Sequence, residues 1–343
     1  MSTALWVATS GLPVHVLSAA IPPACRRTVD RPAAARFDGD EGLVETPAWP
    51  AASATHFVPS FAVHSAIPFS ARLELSVRVS GAWSPWVAGV SLGPAPFAPS
   101  PPTESLDVDV DVFRARAPVE AARLRLRLRA PEPAAVLAAP WMLALSAFPS
   151  TGSSTRTATA ADGRAVWLEV PARSQMEEGA AIAPRICSPT CVAMVLDFWR
   201  RPARLDVLAA EIFHPGVDLY GVWPAAVMAA GRRGLAGYLL RFPDWAAAEW
   251  CLARGLPIIA SVRYGAGELT GAAAVETPGH LVVLIGWDGD DVLVNDPAAP
   301  TAASVARRYR RDELVRVWLD RTGVGYVLFP PGGPRHGPPD PAA

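Results

Sequence analysis

Hydrophobic and polar positions alternate one by one through much of the first part of the chain. Leu73, Leu75, Val77 and Val79 alternate with Glu74, Ser76 and Arg78. Leu106, Val108, Val110 and Val112 alternate with Asp107, Asp109 and Asp111. Leu124, Leu126 and Leu128 alternate with Arg123, Arg125, Arg127 and Arg129. A period of two sets one side of a strand on a core and the other in water. The outward aspartate and arginine rows would attract each other if those strands were neighbours. Proline-rich connectors at 95–102 and 130–133 separate the runs. Residues 1–148 are therefore expected to form an antiparallel β-sandwich of jelly-roll-like character.

A stretch rich in Ser, Thr, Ala and Gly comes next, and 149–164 reads as an interdomain linker. Beyond it the period changes to that of a helix, over 189–199, 205–213, 224–233 and 245–254. Strand-like runs succeed these, at 257–263, 280–287, 291–294 and 325–329. Helices first and strands afterwards predict an α+β domain with an antiparallel sheet over 165–330. Residues 331–343, rich in Pro and Gly, are expected to be disordered.

Composition narrows the function classes. A chain of 343 residues exceeds what a single core usually supports, which agrees with two domains. The formal net charge is -1 and no basic stripe stands out, so a nucleic-acid surface is not expected. Every one of the 31 basic residues is arginine. The absence of lysine removes a Walker-type phosphate site and Schiff-base chemistry. The four cysteines, Cys25, Cys187, Cys191 and Cys251, have neither metal-site nor disulfide-framework spacing, so free thiols and no metal or other cofactor are expected. His56 and His64 are isolated and read as surface or packing residues. No basic, uninterrupted apolar leader opens the chain and no apolar run is long enough to cross a bilayer, which points to the cytoplasm.

Candidate chemistry gathers in the second half. Cys187 stands directly before Ser188-Pro189-Thr190 and an apolar helical run. Proline suits the first helical turn, so Cys187 is expected at a helix start, where exposed N–H groups and the helix dipole favour a thiolate. Cys191 lies one turn deeper and reads as a packed core thiol, as does Cys251. A thiol nucleophile needs a base, and the base needs an orienting partner. His280 opens the run Leu281 to Ile285, and Asp296 closes Val292-Leu293-Val294-Asn295. The turn Asp288-Gly289-Asp290 makes the two runs a hairpin, with His280 and Asp296 near each other across the ladder. Asp288 competes for the orienting role, although a turn role suffices for it. Gln175 is the chain's only glutamine and Asn295 its only asparagine. The Gln175 side-chain amide, with the Cys187 backbone N–H, could hold an oxyanion. His214 and Asp218 flank Pro215-Gly216 and read as loop residues; Trp223 walls a groove or simply packs.

Ser174-Gln175, Cys187-Ser188-Pro189-Thr190 with Ala193 to Leu196, Gly279-His280 through Trp287, and Val294-Asn295-Asp296-Pro297 together resemble the C39-like peptidase family. This family belongs to the papain-like cysteine proteases and includes the leader-cleaving domains of bacteriocin exporters and many stand-alone bacterial proteins. The resemblance covers about half of the chain. It implies a papain-like fold, with Cys187 as nucleophile, His280 as base, Asp296 as orienter and Gln175 as oxyanion donor. The family usually has Gly after the cysteine, where this chain has Ser188. No transporter segment or ATP-binding domain follows, so export-linked leader cleavage is not expected.

The function expected from the pattern is a cysteine peptidase acting on a peptide or protein substrate. Two other readings stay open: an acyl transferase of transglutaminase-like chemistry on the same triad, and a degenerate papain-like binding protein. Product analysis with added amines separates the first; wide separation of Cys187 and His280 would favour the second. Oligomeric state is not readable from the sequence.

Overall fold

The computed structural model describes residues 3–30, 35–52, 54–100, 103–150 and 165–334. Most of the expected linker, 151–164, and most of the expected disordered tail, 335–343, lie outside the described residues. The chain divides into two compact units that do not obey a single cut. The first comprises Met1–Val14, Cys25–Thr151 and Val222–Leu239; the second comprises His15–Ala24, Gly152–Gly221 and Leu240–Ala343.

The first unit holds two β-sheets. One has the order Leu106–Asp109, Val112–Ala115, His56–Val63, Trp141–Phe148, Ala4–Ser10, Arg26–Asp30. Its pairings are antiparallel except the last, where Ala4–Ser10 and Arg26–Asp30 run parallel. The expectation of purely antiparallel pairing fails there because a helix, Val14–Ala20, intervenes in the chain, the kind of crossover that parallel pairing requires. The other sheet has the order Arg36–Asp38, Glu41–Glu45, Ala121–Arg129, Ser70–Val79, Ala82–Trp83, with Val87–Leu92 also on Ser70–Val79. Side chains of the two sheets touch: Trp6 stacks on Trp49 with ring centroids 6.0 Å apart, and Gly89 lies against Phe113.

Alternation along Ala121–Arg129 works as the period demands. Leu124, Leu126 and Leu128 are fully buried, while the arginines face outward. Their partners differ from the expectation, however. The Asp107 and Asp109 row lies in the other sheet and pairs with Arg116 and Arg114 of its own hairpin, each at 2.8 Å. Arg127 and Arg129 instead share Glu41, and Arg125 meets Glu74. Arg123 lies between two indoles, 4.5 Å from Trp83 and 4.6 Å from Trp86. The stretch 106–112 is not one strand either. Val110 adopts a left-handed φ of 55°, which folds the run into a hairpin and turns Asp111 inward, where it is buried.

All eight residues of Trp141–Phe148 are buried, so both faces of that sheet are covered at its centre. The helix Trp223–Arg232 packs on the neighbouring strand His56–Val63. Gly231 approaches so closely that a Cβ there would lie 2.8 Å from the Val63 nitrogen. At its start, the Trp223 N–H donates to Asp111 Oδ2 at 2.7 Å. Burial pushes the Asp111 carboxyl up to about 7, only partly offset by the Trp223 N–H.

In the second unit, an antiparallel sheet runs in the order Val324–Phe329, Ile258–Tyr264, Thr277–Asp288, Asp291–Asn295, Ala306–Arg310. Short Val166–Trp167 adds to Thr277–Asp288 beyond the end of Ile258–Tyr264. The expected helices are present as Cys187–Phe198, Leu205–Ile212 and Trp245–Leu252, the fourth being Trp223–Arg232 of the first unit. The strand Ala306–Arg310 was not expected, because that arginine-rich segment shows no apolar alternation. Cys187–Phe198 is almost wholly apolar and buried from Ser188 to Leu196, as a core helix must be. Its Cys191 thiol donates to the Leu281 carbonyl at 3.2 Å, fixing the helix against Thr277–Asp288.

Strand Thr277–Asp288 carries a bulge between Leu284 and Gly286. Gly286 has a φ of 153°, and a Cβ there would lie 1.9 Å from the Val166 carbonyl oxygen. Only glycine allows Val166–Trp167 to approach this closely. Of the expected tail, Gly333 is described: its N–H donates to the Pro330 carbonyl at 2.8 Å, closing a turn. Among the described residues, no helix is long and apolar enough to cross a membrane.

Candidate active site

Cys187 is the first residue of its helix. Ile186, in front of it, offers no capping side chain, so the first N–H groups of the helix stay available to a neighbouring anion. Pro189 fits the first turn, and Thr190 closes it with an N–H to the Ile186 carbonyl at 3.0 Å and a hydroxyl to the same carbonyl at 2.8 Å. The Cys187 side chain is half-buried, whereas Cys25, Cys191 and Cys251 are buried. None of the four is in a disulfide.

His280 lies on Thr277–Asp288, the strand that Cys187–Phe198 packs against, and is buried. Its Nε2–H donates to Asp296 Oδ1 at 2.7 Å. Nδ1 is the ring nitrogen left over, and Cys187 and His280 lie close enough for each to shift the other's proton affinity. Asp296 stands just past the end of Asp291–Asn295 and is fully buried. Four donors meet its two oxygens. Besides His280, Oδ1 accepts from the Ala298 N–H at 3.0 Å. Oδ2 accepts from the Tyr309 hydroxyl at 2.6 Å and the Ala273 N–H at 3.4 Å.

These contacts decide the charge states. Burial opposes the Cys187 thiolate, but the hydrogen bond and charge of His280, with the Leu281 and Ser188 backbone groups, outweigh it and lower the thiol below its ordinary 9.0. Burial likewise opposes the imidazolium, yet Asp296 and Cys187 push His280 up to about 10. Asp296 is held down at about 2, burial being overcome first by His280 and then by Tyr309 and the Ala298 N–H. Cys191 moves the other way: burial, then the charges of Cys187 and Asp296, raise it well above 9.0. The two thiols on one helix are thus set apart, one lowered and one raised.

Gln175 is buried in a short 3-10 turn, Gln175–Glu177. Its backbone N–H donates to the Pro297 carbonyl at 2.9 Å, tying it to the residue after Asp296. Its Nε2 gives one hydrogen to the Ala183 carbonyl at 2.8 Å, which leaves the second uncommitted by that bond. Asn295 faces elsewhere: its amide donates to the Val170 carbonyl at 3.0 Å and holds the segment that leads to Gln175.

Asp288, the alternative orienter, is exposed at the hairpin turn and pairs with Arg308 at 2.9 Å. Asp218 pairs with Arg185 at 2.8 Å, and the His214 backbone bridges Leu219, consistent with a loop. His56 stacks on Phe148 in the first unit. Trp223 opens its helix, half-buried, with its backbone N–H on Asp111. Among the described residues, no three His, Cys, Asp or Glu side chains gather as a metal site would require. Tyr309 and the Ala273 and Ala298 N–H groups were not expected from the sequence. Backbone donors carry no sequence signal, and Tyr309 is the sole aromatic side chain among the arginines of its strand.

Residues 167–326 match the Peptidase_C39 like family. None of the curated proteins matches the chain. Two solved structures are similar over 48% of this chain. A double glycine motif protease from an AMS/PCAT transporter, in complex with the leader peptide, is 20% identical, covered over 94% of its length, with a TM-score of 0.33. A C39-like peptidase from Bacillus anthracis is 18% identical, covered over 97%, with a TM-score of 0.38.

Proposed function

We propose that the chain, whose residues 167–326 match the Peptidase_C39 like family, is a cysteine peptidase acting through Cys187, His280, Asp296 and Gln175. The observation that carries the reading is the buried His280–Asp296 pair, with Asp296 Oδ1 2.7 Å from Nε2, on the strand packed against the helix that Cys187 opens, His280 and Cys187 each shifting the other's proton affinity. A thiol held below its ordinary range beside a raised imidazole is the ion pair that thiol catalysis uses.

In the first step the Cys187 sulfur bonds to a peptide carbonyl carbon, and the carbonyl π pair moves to oxygen. The Cys187 N–H and the second Nε2 hydrogen of Gln175 receive that oxyanion. The carbon–nitrogen bond then breaks, and the leaving amine takes its proton from His280 Nδ1. Water next attacks the thioester, giving one proton to His280 as the thiolate departs. Asp296 keeps the imidazole in orientation throughout and stabilises its charged form. The substrate is a peptide or protein, and the two-sheet first unit is read as a jelly-roll-like sandwich.

The test is a peptide library incubated with the full chain, with new termini identified by mass spectrometry. Cleavage is expected from the wild type and is lost by at least ~10³-fold in Cys187→Ala. Equal cleavage by both would overturn the assignment.

A further inference from the structure

We propose that Tyr309 is a positioning residue of the catalytic triad, holding Asp296 so that Oδ1 faces His280 and the Cys187–His280 ion pair forms. The proposal rests on the peptidase reading but is argued from the surroundings of Asp296. A carboxylate buried this completely must find donors for both oxygens, or its charge is strongly disfavoured. Oδ1 is served by His280 at 2.7 Å and the Ala298 N–H at 3.0 Å. Among the described residues, Oδ2 has the Tyr309 hydroxyl at 2.6 Å and, otherwise, only a long contact of 3.4 Å from the Ala273 N–H. Without Tyr309, that oxygen would be close to orphaned, and the carboxylate would be free to turn away from His280.

Tyr309 suits this work. Its side chain is fully buried on Ala306–Arg310, beside the strand that ends next to Asp296. Burial and then the Asp296 charge push its phenol up, so it remains a neutral donor throughout the working range. The other titratable groups around the carboxylate are Cys187 and Cys191 from the nucleophile helix, His280 from its own strand, Tyr264 from Ile258–Tyr264, and Arg307 close to Tyr309. Of these, His280 and Tyr309 are the side chains hydrogen-bonded to Asp296.

The experiment measures the rate of Cys187 alkylation by iodoacetamide against pH, with the modified residue mapped by mass spectrometry. It compares the full-length wild type with Tyr309→Phe, Asp296→Asn, their double variant and Tyr264→Phe. Tyr309→Phe is expected to raise the midpoint of the rise by about one pH unit, and to lower kcat on a cleaved peptide roughly tenfold with KM within about twofold. In the Asp296→Asn background the same change should add nothing, since Tyr309 acts through Asp296. Tyr264→Phe removes a neighbouring hydroxyl that is not hydrogen-bonded to Asp296, and should leave the midpoint in place. Biosynthetic incorporation of 3-fluorotyrosine, a stronger hydroxyl donor, should lower the midpoint without any substitution, so the idea stays testable even if Tyr309→Phe fails to fold. An unchanged midpoint in Tyr309→Phe, or an equal shift with and without Asp296, overturns the proposal. Alkylation needs no substrate: a chain labelled at Cys187 that cuts no peptide counts against the peptidase reading alone, and the midpoints still decide Tyr309.

Discussion

Replacing Asp111 by asparagine should stabilise the protein, and by an amount that depends on pH. Asp111 is buried at the tip of the Leu106–Asp109 and Val112–Ala115 hairpin, where its Oδ2 accepts the Trp223 N–H at 2.7 Å. Among the described residues no cation pairs with it, and burial raises its carboxyl from the ordinary 3.8 to about 7. The folded state therefore binds this proton more tightly than the unfolded chain does. Its contribution is most favourable below the unfolded value and declines as pH rises toward the folded one. Three pH units at about 1.4 kcal/mol each make the full decline roughly 4 kcal/mol, of which about 2–3 kcal/mol falls between about pH 5 and pH 8. Asparagine keeps an oxygen for Trp223 and carries no charge, while its unpaired amide costs about 1 kcal/mol at every pH. The advantage of Asp111→Asn over wild type should grow by about 2–3 kcal/mol from about pH 5 to about pH 8, read from paired urea unfolding curves by tryptophan fluorescence. A difference that is the same at both values, within about 0.5 kcal/mol, would refute the reasoning from burial.

Two further outcomes concern the second unit. Gly286→Ala places a Cβ 1.9 Å from the Val166 oxygen and should expel Val166–Trp167, losing its ladder and the Leu168 N–H to Ile285 bond of 2.7 Å. At about 1 kcal/mol per backbone bond, roughly 2–3 kcal/mol of stability goes with it, measurable by thermal unfolding; a change below about 0.5 kcal/mol would contradict the packing argument. The rate of Cys187 alkylation should already rise below the ordinary thiol range, as the thiolate forms beside the raised His280, and should not fall at higher pH, where the thiolate persists. A single rise centred near a free thiol, about 8.5, would mean the ion pair does not form.

How legible the fold was depended on whether local pattern or distant packing decides each element. The period of two in 121–129 and the helical runs at 187–198, 205–212 and 245–252 are local, and the elements lie within a residue or two of where the pattern puts them. The 106–112 run has the same alternation, yet Val110 turns it back, and no Gly or Asn marks that turn. The segment 222–239 is helical over most of its length, as its period predicts, but nothing local says that it lies with the first unit. Parallel pairing of Ala4–Ser10 with Arg26–Asp30 is likewise a matter of where a crossover lands.

In the site, Cys187, His280 and Asp296 each stand near an element end flagged by a neighbouring turn or proline, which made them visible. Gln175 and Asn295 stood out by rarity, and their surroundings differ: one amide sits beside the segment after Asp296, the other ties down Val170. Tyr309 was invisible because Ala306–Arg310 is mostly arginine, and its value depends on a carboxylate brought to it by the sheet.

The central claim is that Cys187 alone among the four thiols is activated. Intact chain treated at neutral pH with one equivalent of iodoacetamide, then digested and mapped, tests it most directly. The label is expected to reside on Cys187 and to form much faster there than on Cys25, Cys191 or Cys251, and His280→Ala is expected to slow it at least ~10-fold. Label spread evenly over the cysteines, or a rate on Cys187 unchanged in His280→Ala, would contradict it.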